Sequence, residues 1–253
     1  PKSLVIATKP EIRDYIVEQV KSRTGIDLQA RRVGRDLGTD STLAKRRLMP
    51  TFKVRYGKGL RRLARTRGLA KVAPEAKRLA LSGGKAQMAW GHQSKGLGPT
   101  ALRTAKAAIA KASGCHRQGG CTTTALALQW APECDPEVSF RVELMATWIV
   151  VWCRLEEWQP AIAKLWPSWV IKFRPKSRWS RVTGHIGAVI STLIDVGWQP
   201  NGPLKWTDPQ GGIWEVSPKD LVAAAELQEV LRKSCEKYIR QLSPIRLSEP
   251  TRL

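Results

Sequence analysis

Between Ser41 and Ala131 the chain carries nineteen Lys and Arg and a single acidic residue, Glu75. No other feature restricts its fold as strongly. A compact segment with that imbalance repels itself, so its cations must spread over a surface or be relieved by a polyanion. The whole chain of 253 residues has a formal net charge of +22 and a pI of about 10.4. Nucleic acid is the first partner this predicts and an anionic membrane surface the second. The apolar fraction of 42% argues against a low-complexity basic tail and allows a core.

No membrane span is expected. The longest apolar run, LMATWIVVW at 144–152, is much too short to cross a bilayer. The first residues lack the apolar region of a signal peptide, and a chain that opens on Pro1 reads as a fragment or a processed product. Five irregularly spaced cysteines fit a reducing, intracellular compartment. The stretch GCHRQGGC brings Cys115, His116 and Cys121 together, with Cys134 as a conceivable fourth zinc ligand. Those gaps match no common zinc finger, so a Gly-rich loop is the preferred reading and no metal site is expected.

Periodicity predicts a mainly α-helical protein with a small α/β piece at its start and a β-hairpin near its end. Over 1–40, SLVIAT and IDLQARRV read as strands flanking the helix PEIRDYIVEQVKSR, with Pro10 in its first turn. Over 41–120 the chain reads as a basic helical domain. Its first helix is expected to be capped by Asp40 or Ser41 and to run to about Arg67, with Leu60 and Leu63 facing inward and Arg61, Arg62, Arg65 and Arg67 clustered on the other side. A helix is expected over 74–90. Another over 99–112 would turn Leu102, Ala105 and Ile109 inward and Arg103 and Lys106 outward. Over 121–253 the chain reads as a Trp-rich helical domain, interrupted at 204–216 by LKWTD and IWEV around the turn PQGG.

Catalytic signatures are absent from the sequence. There is no Asp-Asp pair for a two-metal polymerase site. Glu156 and Glu157 are adjacent, so on a helix they diverge by about 100°. No G-x-S-x-G, Walker loop, H-E-x-x-H or G-x-G-x-x-G occurs, and the glycines of GKGL and GGK read as loops. His92, His116 and His185 have no evident sequence partners, and His185 reads as a core or helix-start residue.

Binding chemistry is plentiful. Arg61, Arg62, Arg65, Arg67, Lys71, Arg103, Lys106 and Lys111 are spaced along helices as a cationic ridge for phosphates. Arg can fork two donors onto one phosphate. Trp148, Trp152, Trp158, Trp166 and Trp169 sit among Val, Ile and Leu and read as core. Trp179 lies in RPKSRWSR, between Arg178 and Arg181, and is the candidate for stacking on a nucleotide.

The order of these features resembles a known family. KSLVIAT, a helix, a strand ending in VGRDLG and then basic helices look like the end of a reverse transcriptase palm running into its thumb, in non-LTR retroelements of dinoflagellate type. RRLARTRGLAK, AWGHQSKGLGPTALRTAKAAIAKA and IGAVISTLIDVGWQPNGPLKWTDPQGGIWEV are similar to the region downstream of the polymerase core in that family. The resemblance implies a thumb-like bundle that grips an RNA or RNA–DNA template–primer by its backbone. The Mg2+-binding aspartates of the parent polymerase would lie upstream of Pro1, so this piece would not polymerise alone and would hold no cofactor. It also implies a nuclear location. The alternative is a structural RNA-binding protein of an organellar ribosome-like particle. A third reading is a Trp-rich interaction scaffold kept soluble by its charge.

Overall fold

The computed structural model describes residues 4–36, 39–42, 44–115, 120–131, 134–216 and 221–242, and these are mainly helical with a few short strands. Strands β1 (Leu4–Val5) and β2 (Gln29–Ala30) pair in parallel, with α1 (Pro10–Thr24) as the crossover. Pro10 opens α1 and Gly25, at φ 71°, closes it. None of its residues is buried, so this piece lends the protein little core.

The strand expected to run on through VGRDLG is broken. β2 ends at Ala30, and β3 (Gly34–Asp36) pairs antiparallel with β4 (Thr39–Ser41) in a separate sheet. Leu37 and Gly38 lie outside the described residues. The pair serves to present Asp40. This buried carboxylate reaches the first turn of α2 (Pro50–Leu69), accepting from the Thr51 amide at 3.1 Å and the Phe52 amide at 2.9 Å. The helix therefore starts at Pro50 and not near Ser41. Proline suits a first turn, where its missing N–H is not needed, and Asp40 caps from ten residues upstream.

The single helix expected over 74–90 is three pieces: a 3₁₀ turn at Pro74–Arg78, a π-helical segment at Ala80–Lys85, and α3 (Ala86–Ala89). Glycines explain the path. A Cβ on Gly59 of α2 would lie 2.3 Å from Met88 Cγ and 3.1 Å from the Gly84 carbonyl, and one on Gly84 would lie 2.4 Å from Leu63. GKGL and GGK are thus not loops but the contact point of two helical segments. After α4 (His92–Lys95), α5 (Pro99–Ala112) and α6 (Thr122–Gln129) close a first core around Leu63, Met88, Leu102, Ala105, Ile109 and Leu126.

A second core forms between α7 (Pro136–Cys153), α8 (Gln159–Phe173), α9 (His185–Asp195), the antiparallel strands β5 (Lys205–Thr207) and β6 (Ile213–Glu215), and α10 (Leu221–Leu242). Tryptophans dominate it. Trp148, Trp166 and Trp206 are buried, and each indole N–H reaches a carbonyl of one short loop: Pro203 at 2.8 Å, Pro200 at 2.9 Å and Gly202 at 3.1 Å. A buried indole N–H usually finds such an acceptor, though that of Trp198 in the same core has none among the described residues. Trp158, expected in the core, is 62% exposed because it lies on the 3₁₀ turn between α7 and α8. Helix α7 serves both cores, with Phe140 in the first and Leu144, Trp148 and Trp152 in the second.

Candidate nucleic-acid interface

Of the net charge of +22, eighteen units fall between Ser41 and Ala131, where nineteen cations face one acid. Helix α2 carries the densest set. Successive helical residues turn by about 100°, so Lys58, Arg61, Arg62 and Arg65 share one flank. Two adjoining hollows run along it. One, of about 400 Å³, is lined by Lys58, Arg61, Arg62, Arg65 and Gln87. The other, of about 380 Å³, shares Lys58 and Gln87 and continues through Arg55, Val54 and Thr51. From Thr51 to Arg65 the groove follows roughly 21 Å of helix at 1.5 Å per residue. Its far wall, at Gln87, is set by the close glycine crossing beside it.

Among the described residues, none of Lys58, Arg61, Arg62 and Arg65 is ion-paired with a carboxylate. Arg55, in the second hollow, donates to the Trp90 carbonyl at 3.1 Å and places its guanidinium 6.0 Å from the Trp90 ring. Trp90 is 60% exposed. Sequence reasoning missed it because its neighbours, Ala89 and Gly91, carry no charge.

The remaining expected site residues divide. Arg67, two residues past Arg65, turns roughly 200° away. It lines a separate pocket with Lys71, Lys77 and Lys111, so Arg67 does not share the groove of Arg61, Arg62 and Arg65. Arg103 is exposed on α5 but lines none of these pockets.

Lys106 does not face outward. It is buried, with Nζ 2.8 Å from Asp135 Oδ2, 2.9 Å from Glu137 Oε2 and 2.6 Å from Thr123 Oγ1. Asp135 also caps α7 by accepting from the Glu137 amide at 2.8 Å. Burial pushes the Asp135 carboxyl up, and Lys106 pulls it part of the way back. This lysine pins α5 to α7.

Arg178 and Trp179 are also committed within the protein. Arg178 Nη1 lies 2.7 Å from Asp195 Oδ1, and the Trp179 indole donates to Asp195 Oδ2 at 2.8 Å. Arg47 covers the Trp179 ring at 5.4 Å. The half-buried indole lines a hollow of about 340 Å³ with Phe52, Leu97 and the first turn of α5. Arg181 is exposed, with one weak donation to the Lys172 carbonyl at 3.4 Å.

Two histidines have partners that sequence spacing concealed. His92 Nε2 lies 3.2 Å from Glu143 Oε2, outside good hydrogen-bond geometry. His185 opens α9, sets its ring against Trp148 and places Nε2 3.2 Å from the Leu144 carbonyl. Glu156 and Glu157 lie on a 3₁₀ turn. His116 is outside the described residues. Among those described, no three His, Cys, Asp or Glu side chains gather to hold a metal ion. No helix among them is long and apolar enough to cross a membrane. No family model, no curated protein and no solved structure matches the chain.

Proposed function

We propose that this protein holds a nucleic acid by its phosphate backbone along the flank of α2. The observation that carries the reading is the groove itself: Lys58, Arg61, Arg62 and Arg65 line it together, without carboxylate partners among the described residues. A helix flank lined by cations suits a repeating phosphate chain, and such contacts position a strand without reading bases. Trp90, exposed and with the Arg55 guanidinium 6.0 Å from its ring, adds a platform beside the groove where an unpaired base can stack. The finer form of this proposal rests on the family resemblance. The helical module would be thumb-like and would grip an RNA–DNA template–primer for a reverse transcriptase whose chemistry resides outside these residues.

The test is fluorescence anisotropy with a labelled RNA–DNA hybrid from 50 to 200 mM KCl. Each phosphate contact contributes about 0.9 log units of affinity per log unit of salt on duplex DNA. The variant Arg61→Ala/Arg62→Ala/Arg65→Ala is expected to flatten the slope by about 2.7. Arg103→Ala, outside the groove, is expected to leave it unchanged. Salt-independent binding, or equal slopes for the triple variant and the parent, overturns the proposal.

A further inference from the structure

The opposite flank of α2 ends in a pocket of different character. It holds about 220 Å³ between the ends of α2 and α5 and the 3₁₀ turn at Pro74–Arg78. Arg67, Lys71, Lys77 and Lys111 line it, and every charged side chain in its wall is a cation. The Lys77 ammonium reaches over the far end of α5, where a Cβ on Gly114 would sit 3.7 Å from Nζ. Three separate elements therefore bring four positive charges onto one small space.

Cations often gather at helix C-termini to satisfy the last carbonyls and the dipole. Here the carbonyls are already met by backbone. Ser113 N bonds the Ile109 carbonyl, Cys115 N bonds that of Ala110 at 2.9 Å, and Ala70 N bonds that of Thr66 at 2.8 Å. Among the described residues, no hydrogen bond joins any of the four side chains to those carbonyls, and none of the four is ion-paired. Four unpaired like charges converging in this way are a standing cost to the empty protein and a ready complement to a dense anion. The volume falls below the about 300–1,000 Å³ usual for organic ligands. It suits a group that is mostly charge.

We infer that this pocket binds a compact polyphosphate, a diphosphate or triphosphate group held among Arg67, Lys71, Lys77 and Lys111. Such a group occurs free in solution and at the 5′ end of a nascent RNA, and both present the same oxygens. The site does not rest on the groove reading, because Arg67 and Arg65 point to opposite flanks of α2.

Calorimetric titration of the full chain with inorganic pyrophosphate at low salt tests it. One pyrophosphate is expected per chain, bound more tightly than orthophosphate. Lys77→Gln/Lys111→Gln is expected to weaken pyrophosphate binding about tenfold or more. Lys77→Arg/Lys111→Arg keeps the charge and is expected to retain binding, which separates a lost site from a lost fold. Arg103→Gln, a cation on α5 outside this pocket, is expected to leave pyrophosphate binding unchanged. A second arm compares one RNA carrying a 5′-triphosphate or a 5′-hydroxyl. Tighter binding of the triphosphate form, lost in Lys77→Gln/Lys111→Gln, assigns the pocket to a strand end. Equal binding of the two RNAs alongside pyrophosphate binding assigns it to a free anion. Pyrophosphate affinity that is absent, or untouched by Lys77→Gln/Lys111→Gln, overturns the site.

Discussion

Lys106 and Arg65 are both cations on amphipathic helices, yet one is sealed between two carboxylates and the other lines an open groove. Removing each should therefore have opposite signatures. Lys106→Met leaves Asp135 and Glu137 buried without their counter-charge, and breaking a buried pair in that way costs about 3–5 kcal/mol. Urea unfolding should show that loss, while the salt dependence of nucleic-acid binding stays that of the parent. His185 gives a pH signature. Burial holds its pKa below the usual 6.5 despite the Leu144 carbonyl. The unfolded chain then takes up a proton that the folded one refuses, so this contribution is present above about pH 6.5 and is lost as pH falls towards the folded value. Melting temperature should drop between pH 7.5 and 5, and less steeply in His185→Gln. The inward turn of Lys106 was not legible in the sequence. Between Ala105 and Ile109 a lysine reads as solvent-facing, and the acids that hold it lie about thirty residues on, across α6. Trp179 misled for the same reason: its sequence neighbours are cations, but its partner Asp195 comes from α9.

At the scale of elements, α5 was legible because its signals are local. Pro99 opens it, and Leu102, Ala105, Ile109 and Ala112 keep one buried face. The start of α2 was legible only in its cap: Asp40, the residue the sequence offered, accepts from the first turn, but from a separate pair of short strands ten residues before Pro50. Asp40→Ala removes two acceptors from that first turn and should cost about 1–2 kcal/mol, read by thermal or urea unfolding. Asp40→Asn keeps one oxygen and should cost less. Glycine misled most. In GKGL and GGK the residue usually marks a turn, yet Gly59 and Gly84 allow two helical segments to touch. Gly59→Ala places a methyl group against Met88 and the Gly84 carbonyl, and overpacking of this kind costs about 1–3 kcal/mol. Since the same contact sets the position of Gln87, that variant should also weaken RNA–DNA hybrid binding, measured by anisotropy under conditions where the variant stays folded.

For the whole molecule, the mainly helical character was readable from periodicity, and the concentration of charge was readable by counting. How the charge is distributed was not, because half a turn of helix decides whether two arginines are neighbours or opposites. The folded protein carries this repulsion, so a polyanion that binds only the folded state should raise its melting temperature. At a ligand concentration of 100 Kd the gain is about 2.7 kcal/mol, to be seen in thermal scans with and without an RNA–DNA hybrid. Helix α7 has a practical corollary. Anyone trimming the protein to a minimal binding unit would be tempted to stop at Ala131, where the cationic stretch ends. That cut would remove Phe140 from the first core and both acids from Lys106. The smallest autonomous unit must therefore reach beyond the region that gives it its charge, and a survey by stepwise C-terminal deletion should find soluble, cooperatively melting protein only when α7 is kept whole.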